Sequence, residues 1–195
     1  WTNYPLHFHE LTQKSSVCLL AEDEIEVHTI PLKHRVYTNG FLFRETPKDR
    51  KINAEAVEQH QIDQSQMRNL KEGKDVVDAQ GNPIANQVLT HYPRPPKSYA
   101  FCSDTAYQPE MIDQIHQVDV LYHEATFLNN HQELAQKTLH STAQQAAQIA
   151  KDAHVKHLIL GHYSSRYKDL TQFQSEAAEI FPHVDLAYDG YSLEF

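Results

Sequence analysis

Short apolar segments that alternate with helical patterns are the feature that most constrains how this chain can fold. Four runs have the composition of buried strands, and they cover residues 98–102, 118–122, 157–160 and 184–188. Helices are predicted between them, from about Pro109, over 142–153 and over about 170–180. Two strands are predicted upstream, at 24–29 and 40–44. Strands that alternate with helices indicate an α/β fold, with helices packed outside a sheet.

The segment 46–97 departs from this pattern. Its apolar periodicity is weak, it contains turn signals at Gly73 and Gly81, and it closes with the stiff run Pro93-Arg94-Pro95-Pro96. It carries eight of the 17 Lys and Arg residues against seven of the 26 acidic ones, which leaves nine basic and 19 acidic residues, a net of −10, elsewhere. A segment of this length without a core signal is unusual inside a compact domain unless it is functional. We interpret 46–97 as a protruding insertion, with an ordinary long surface loop as the alternative.

Composition limits the class of protein. With 195 residues, of which 40% are apolar, the chain can bury a sizeable core in one domain. No apolar run approaches the roughly 20 residues of a membrane span, and no secretory leader is recognisable, so we expect a soluble cytoplasmic protein without a membrane partner. Cys18 and Cys102 lie in apolar surroundings and are predicted to be buried free thiols. The chain begins at Trp1 without an initiator Met and resembles a segment of a longer protein.

Polar residues that could bind a metal ion follow the apolar runs. His162 follows the 157–160 strand, separated from it by Gly161 alone. A histidine at the end of a buried strand is held rigidly and faces a cleft, as a metal ligand must. Asp104 follows the 98–102 strand, and its carboxylate would stand at the sheet edge, where it could bridge two cations or simply cap a turn. His34 lies between two basic residues that disfavour its protonated form and so favour metal binding, although a structural role is the alternative.

Two further residues have the chemistry of a general acid and of a carboxylate that orients it. Glu124 follows the 118–122 strand, and His140 precedes a predicted helix. A carboxylate that orients an imidazole makes the histidine useful as a general acid. The alternative is that Ser141 or Thr142 caps the helix and that His140 is incidental. Four of the 14 histidines are predicted to be solvated surface residues, namely His60, His91, His131 and His183.

Together these residues resemble ribonuclease Z, the tRNA 3′-processing endonuclease family of the metallo-β-lactamase superfamily. The similar motifs are Pro31-Leu32-Lys33-His34, Ser103-Asp104-Thr105, His-Glu-Ala-Thr-Phe at 123–127, His-Ser-Thr at 140–142 and Gly-His-Tyr-Ser-Ser-Arg-Tyr at 161–167. The resemblance implies the αββα sandwich of that superfamily. It also implies a zinc-dependent hydrolase that removes the 3′ trailer from precursor tRNA and forms a homodimer.

The resemblance implies a role for each candidate residue. His34 would bind one zinc ion, Asp104 would bridge two, and His162 would bind the other. His140 would donate a proton to the leaving oxygen, supported by Glu124. Substrate contacts are implied for the turn residues Ser164, Arg166 and Tyr167 and for the insertion residues Arg68, Lys71 and Lys74.

Two departures from the family pattern shape the domain prediction. The signature His-x-His-x-Asp-His, which supplies most zinc ligands in that family, occurs nowhere in the chain, and His7-x-His9 and His154-x-x-His157 lack the following Asp-His. We therefore predict that residues 1–195 are the C-terminal portion of a single metallo-β-lactamase-like domain, with 46–97 as its arm, and that this chain alone is inactive. The insertion also lacks the Gly-Pro pair that the family's arm often carries.

Two alternatives to a tRNA nuclease are open at this point. The first is another dinuclear-zinc hydrolase of the same fold that acts on small phosphate or sulfate esters, against which the long insertion argues. The second is a non-catalytic fragment, because two ligands for each zinc ion are too few for a tight site.

Overall fold

The computed structural model describes residues 4–22 and 24–195. Its strands are β1 Cys18–Glu22, β2 Ile25–Leu32, β3 Thr38–Glu45, β4 Lys51–Ile52, β5 Val76–Val77, β6 Pro83–Ile84, β7 Thr90–His91, β8 Ser98–Cys102, β9 Val120–Glu124, β10 His157–Gly161 and β11 Val184–Leu186. Its α-helices are α1 Ala54–Gln59, α2 Met67–Lys71, α3 Asn86–Leu89, α4 Gln132–Thr138, α5 Ala143–Asp152 and α6 Thr171–Ala178.

Seven of the described strands form one mixed sheet in the order β1-β2-β3-β8-β9-β10-β11. The β1–β2 and β3–β8 pairs are antiparallel, whereas β8–β9, β9–β10 and β10–β11 are parallel. Because β8, β9 and β10 run in the same direction, their carboxyl ends meet at one edge of the sheet. In open α/β sheets this edge is where ligands bind.

Helices α5 and α6 pack against each other and against the parallel strands. Ala146, Ala147 and Ala150 of α5 are fully buried, and their small side chains let the helix lie close to the sheet. Phe173 of α6 is also fully buried. Helix α5 begins with a capping box, in which the Thr142 hydroxyl accepts from the backbone N–H of the third helical residue and that residue's amide side chain accepts from Thr142.

The predicted α/β alternation is confirmed, with corrections at the ends of elements. Strand 98–102 forms as predicted, whereas the 118–122 strand lies two residues later, at Val120–Glu124. The helix predicted from Pro109 was wrong, because only a 3₁₀ turn forms there, at Pro109–Met111. Strand β1 and helix α4 were not predicted.

The chain divides into two compact units, one of which is Glu45–Pro96. The other comprises the chain up to Arg44 and from Lys97 to Phe195. Each unit has its own hydrophobic core.

Within the Glu45–Pro96 unit, a small core forms from side chains that are widely spaced in the sequence: Ile62, Leu70, Val76 and Leu89. Asn86 is buried beside them, and its side-chain amide donates to the carbonyls of Leu70 and Lys74 at 2.8 and 2.9 Å. The weak periodicity of this segment therefore conceals a folded unit, because its elements are too short to show a repeating pattern.

Both cysteines are free thiols, as predicted. Cys102 is buried, but Cys18 is exposed on β1, which corrects the prediction that both are buried. Among the described residues, no helix combines the length and the apolar character that crossing a membrane requires.

Candidate active site

Three parallel strands bring the candidate residues to one edge of the sheet. Glu124 is the last residue of β9, and His162 directly follows β10, in which Gly161 pairs with Glu124. Asp104 lies two residues beyond the end of β8. His140 reaches the same place from the junction between α4 and α5. One side-chain atom from each of these four residues lies within 4.8 Å of the others.

Asp104 and His162 have the geometry of metal ligands. The Nε2 atom of His162 lies 3.2 Å from Oδ1 of Asp104. On the other side of the ring, Nδ1 contacts the hydroxyl of Thr126 at 2.9 Å. That hydroxyl makes its shorter bond, at 2.6 Å, as a donor to Glu124, so it accepts from Nδ1–H of His162. In the neutral imidazole Nε2 then carries the lone pair and faces a carboxylate oxygen, and two such acceptors at this distance suit a shared cation.

Glu124 has a different role, because its carboxylate is already occupied. It is fully buried, and its Oε1 accepts from the backbone N–H of Thr105 at 2.7 Å and from His140 Nδ1 at 2.8 Å. Its Oε2 accepts from the Thr126 hydroxyl and from the backbone N–H of Ser141 at 3.1 Å. Burial raises the pKa of Glu124, but the bonds from His140, Thr126 and Ser141 outweigh it and hold the pKa below its ordinary value. Glu124 is therefore a charged residue that orients its neighbours by hydrogen bonds, a role that we call a brace, rather than a metal ligand.

His140 is held in a fixed orientation by this brace. Its bond to Glu124 raises its pKa above the ordinary histidine value, which favours the imidazolium. The backbone N–H of His140 donates to Ala135 at 2.9 Å, closing the end of α4, and Thr142 then caps α5. The helix cap and the Glu124 contact therefore occur together. The ring of His140 stacks 5.3 Å from that of His162.

His34 lies on the other side of His140. The two ring centroids are 5.0 Å apart, and Nδ1 of His34 lies 3.0 Å from the backbone carbonyl of Leu139. Because a carbonyl oxygen can only accept, Nδ1 carries a proton, and in the neutral imidazole Nε2 then holds the lone pair. His34 is outside the group of four atoms described above, but its free nitrogen has the chemistry of a further ligand.

Strained backbone marks the same place. Six non-glycine residues in the described part of the chain have positive φ, and three of them are Asp104, Leu139 and His162, at 58°, 59° and 59°. Such conformations cost of order 1–3 kcal/mol each and persist where the surrounding structure imposes them, often at functional sites. Each of the three lies at or just beyond the end of a strand or helix. The turns at Asp104 and His162 direct their own side chains into the cluster, and the turn at Leu139 directs the side chain of the next residue, His140.

Gly161 leaves room for the Tyr122 ring directly before the turn into His162. A Cβ atom at this position would lie 2.1 Å from the hydroxyl oxygen of Tyr122, on the neighbouring strand. Only glycine therefore fits between β9 and the turn without displacing the aromatic ring.

A comparison with protein families agrees with this arrangement. The family described as "Beta-lactamase superfamily domain" matches residues 49–163, which is more than half of the chain. The chain belongs to the β-lactamase superfamily.

Relatives and solved structures are consistent with that membership. The Ribonuclease Z of Bacteroides thetaiotaomicron is 42% identical over 187 residues, which are 96% of this chain and 59% of the relative. The chain thus spans about three fifths of that curated relative's length.

Two solved structures share the fold. A metallo-β-lactamase fold protein from Bacillus subtilis has a TM-score of 0.57 at 16% identity, covering 90% of this chain and 52% of its own. The short form of human tRNase Z has a TM-score of 0.50 at 20% identity, covering 89% of this chain and 44% of its own. The predicted metallo-β-lactamase fold is confirmed.

The turn after His162 in this superfamily member holds its own residues in place. The backbone N–H of Ser164 donates to Thr126, and the Ser164 hydroxyl accepts from Arg166 Nε at 3.1 Å. The guanidinium of Arg166 lies 5.1 Å from the centre of the Phe127 ring, which in turn meets His140 edge-on. Arg166 remains exposed and available to an anion.

Tyr167 is more enclosed than a free substrate contact would be. Its hydroxyl lies 2.8 Å from His131 Nδ1 and accepts from the backbone N–H of Leu128 at 3.1 Å. Its ring packs against Phe173. Tyr167 therefore fixes the turn, and its contact with substrate remains a prediction. His131, predicted to be a solvated surface residue, is half-buried and holds Tyr167.

The three basic residues predicted in the insertion lie in the Glu45–Pro96 unit. Arg68 and Lys74 both pair with Glu72, at 2.9 and 2.6 Å. Lys71 is exposed. Arg68 and Lys74 are therefore partly neutralised by Glu72, and the contact of all three residues with substrate remains a prediction.

Sequence reasoning missed Thr126 and Leu139. The Thr126 hydroxyl links Glu124 to His162, and the Leu139 carbonyl orients His34. The position of Thr126, two residues after Glu124 and directly beyond a strand, was a usable signal. No local pattern points to Leu139, which is 105 residues from His34 in sequence.

Proposed function

We propose that the full-length protein is a zinc-dependent endoribonuclease that removes the 3′ trailer from precursor tRNA. The observation that carries the proposal is the Glu124–His140 pair directly beside Asp104 and His162. An imidazole whose pKa is raised by Glu124, next to two converging metal ligands, suits cleavage of a phosphodiester. The names of the relatives support this substrate, since one is called Ribonuclease Z and another tRNase Z.

The residues of this chain would divide the work as follows. His34, Asp104 and His162 would hold two zinc ions, which supply Lewis-acid stabilisation of phosphate charge and lower the pKa of water. A zinc ion needs about four ligands, so the others would come from sequence outside this chain. The length of the curated relative supports this.

His140 would act as the general acid. Water would attack phosphorus and release one proton to solvent, the bond from phosphorus to the ribose 3′ oxygen would break, and the proton on His140 Nε2 would pass to that oxygen. His140 would then regain a proton from solvent. The tRNA then carries a 3′ hydroxyl and the trailer a 5′ phosphate. Glu124 supports this step because its charge stabilises the imidazolium and its bond to Nδ1 directs Nε2 away from the brace.

Arg166 and the Glu45–Pro96 unit would contact the RNA. Arg166 would approach a phosphate near the cleaved bond with its exposed guanidinium, beside Ser164 and Tyr167. The Glu45–Pro96 unit, with Arg68, Lys71 and Lys74, would grip the body of the tRNA, because the remainder of the chain is acidic and repels phosphate overall.

The test is end-group analysis of the products. Full-length protein incubated with zinc and a precursor tRNA should release one trailer that begins with a 5′ phosphate and a tRNA that ends in a 3′ hydroxyl. Products with a 3′ phosphate would contradict the proposed role of His140. Hydrolysis of a small aryl phosphodiester without any cleavage of precursor tRNA would favour a small-ester hydrolase.

Homodimer formation and cytoplasmic location, which the resemblance implies, belong to the same proposal. Light scattering of the full-length protein would test the first, and cell fractionation the second. A monomer at concentrations that support full activity would contradict the dimer.

A further inference from the structure

A basic recess lies next to the candidate active site and has no role in the functions described so far. Its volume is about 540 Å³, within the range of about 300–1,000 Å³ that is usual for ligand pockets. Lys14, Lys33 and Arg35 line it together with Tyr37 and the metal-ligand candidate His34. We call it the Arg35 recess. Among the lining residues in the described part of the chain, Glu110 is the single carboxylate.

The concentration of positive charge in this recess is unusual for this chain. Only nine Lys and Arg residues lie outside 46–97, against 19 acidic residues, and three of the nine line the Arg35 recess. Within residues 4–22 and 24–195, none of Lys14, Lys33 and Arg35 has a carboxylate at salt-bridge distance. Unpaired cations gathered in an acidic unit attract an anion, and the proposed RNA substrate is a polyanion.

The recess also continues towards His140. Lys33 borders a second, smaller recess of about 240 Å³, which His140 lines. A chain that enters the Arg35 recess would therefore pass the candidate acid and His34.

Tyr37 adds an aromatic surface to these charges. Its side chain is 48% exposed, while its hydroxyl donates to the backbone carbonyl of Gln13 at 2.8 Å, which fixes the ring. Cations that follow a backbone, combined with a fixed exposed ring on which a base stacks, are the usual means by which proteins bind single-stranded nucleic acid. A duplex presents no unstacked base to such a ring.

We propose that the Arg35 recess binds the single-stranded RNA that flanks the cleaved phosphate, with Lys14, Lys33 and Arg35 on its phosphates and Tyr37 under a base. This inference rests on the proposed function for its substrate class. It adds four residues that position the RNA strand beside the metal ligands.

The test measures binding of a short single-stranded RNA oligonucleotide to the full-length protein at several salt concentrations. Each phosphate contact on a single strand adds about 0.7 to the slope of log affinity against log salt, so replacing Lys14, Lys33 and Arg35 by Ala should reduce that slope by about 2. Lys151→Ala, an exposed lysine on α5, is the matched control and should leave the slope unchanged. An unchanged slope in the triple variant would overturn the proposal.

Four single variants keep the proposal testable if the triple variant folds poorly. Arg35→Lys keeps the charge and should keep most of the slope, whereas Arg35→Gln should lose one contact. Tyr37→Leu should weaken binding by about 5- to 100-fold through lost stacking, and Tyr37→Phe should bind nearly as well as the wild type. Equal binding by Tyr37→Leu and Tyr37→Phe would remove Tyr37 from the proposal.

Cleavage of precursor tRNA by the unmodified protein is measured alongside and tests the proposed function by itself. Salt-dependent oligonucleotide binding that needs the three cations, together with no tRNA cleavage, would support the recess and reject the tRNA nuclease. Cleavage of precursor tRNA with no effect of the three cations on binding would do the reverse. A blunt RNA duplex of equal length should compete poorly, and equal competition would reject the single-strand assignment.

Discussion

Glu124 binds Nδ1 of His140 at 2.8 Å through one carboxylate oxygen. Through its other oxygen it binds the Thr126 hydroxyl, which contacts Nδ1 of His162 at 2.9 Å. A single buried carboxylate thus orients two imidazoles, one towards the position of an acid and the other towards Asp104. Glu124 has this effect on both rings from a fully buried position, where its hydrogen bonds keep the carboxylate charged.

The shared brace predicts a pH effect for Glu124→Gln. Glu124 raises the pKa of His140, and a general acid loses activity as the pH rises through its pKa. The neutral amide should therefore move the alkaline fall of the pH–rate profile to lower pH. Its NH₂ group also cannot accept, so buried N–H groups lose a partner, at a cost of about 1–3 kcal/mol.

The pH–rate profile and the free energy of unfolding of the full-length protein measure these two effects. Glu133→Gln, at an exposed position of α4, is the matched control and should change neither. An alkaline limb that stays in place in Glu124→Gln would show that His140 does not set it.

The division of roles between His140 and Asp104 predicts opposite effects on metal content. His140→Ala should lower turnover by roughly 10²-fold or more while zinc stays bound, because an acid acts only on the reaction. Asp104→Ala should lose metal, since it removes a ligand. Zinc analysis beside single-turnover rates distinguishes them, with the exposed His116→Ala as control. Equal zinc loss in both variants would make His140 a ligand or a structural residue.

The chain by itself should bind zinc weakly. His34, Asp104 and His162 supply too few ligands for two tightly held ions, so equilibrium dialysis of residues 1–195 should find weak binding. The same sample should hydrolyse no phosphodiester. Two tightly bound ions on this chain would mean that the ligand assignment is wrong.

Stability at low pH should depend on Asp119, which joins two strands. Its carboxylate accepts from the backbone N–H and hydroxyl of Ser98, at 2.7 and 2.9 Å, and from Lys156 at 2.7 Å. Burial raises the pKa of Asp119, but these bonds outweigh it and lower the pKa below its ordinary value of 3.8. The stabilisation is therefore complete above the unfolded-state pKa and is lost as the pH falls through the folded-state pKa.

Asp119→Asn should accordingly cost about 1–3 kcal/mol near neutral pH, and its difference from wild type should shrink below roughly pH 4. Urea unfolding over a pH series measures this difference, and Asp113→Asn, at an exposed position, is the control. A difference that is the same at pH 3 and pH 7 would show that the carboxylate charge is not responsible.

The sequence predicted where the site lies better than it predicted which residues hold the side chains of the site in place. Asp104 and His162 were found because a polar residue directly after a buried strand must lie at the sheet edge, a consequence of local pattern alone. The contacts from Leu139 to His34 and from Thr126 to His162 join residues 105 and 36 positions apart. Such contacts depend on how helices and strands pack, which local patterns do not specify.

The same limit applies to the fold. Strand 98–102 was predicted with its observed ends because five residues of one apolar run fill it. The core of the Glu45–Pro96 unit was missed, since Leu70 and Leu89 come from separate short helices. Buried side chains spaced this widely give no periodic signal.

The Glu45–Pro96 unit gives the last prediction, which separates a tRNA enzyme from a small-ester hydrolase. Replacing the whole unit by a short Gly-Ser linker in the full-length protein should remove most affinity for precursor tRNA. Hydrolysis of a small aryl phosphodiester should survive, because His34, Asp104, His140 and His162 all belong to the other unit, which has its own core.

Neutralising Arg68, Lys71 and Lys74 together should flatten the salt dependence of tRNA binding. Because Glu72 already pairs with two of these residues, the slope should change by less than the roughly 3 expected for three free cations. Filter binding and cleavage assays on both variants measure this. Unchanged cleavage of precursor tRNA without the unit would rule out an RNA-gripping role, and loss of both activities would show that the site depends on the unit for its fold.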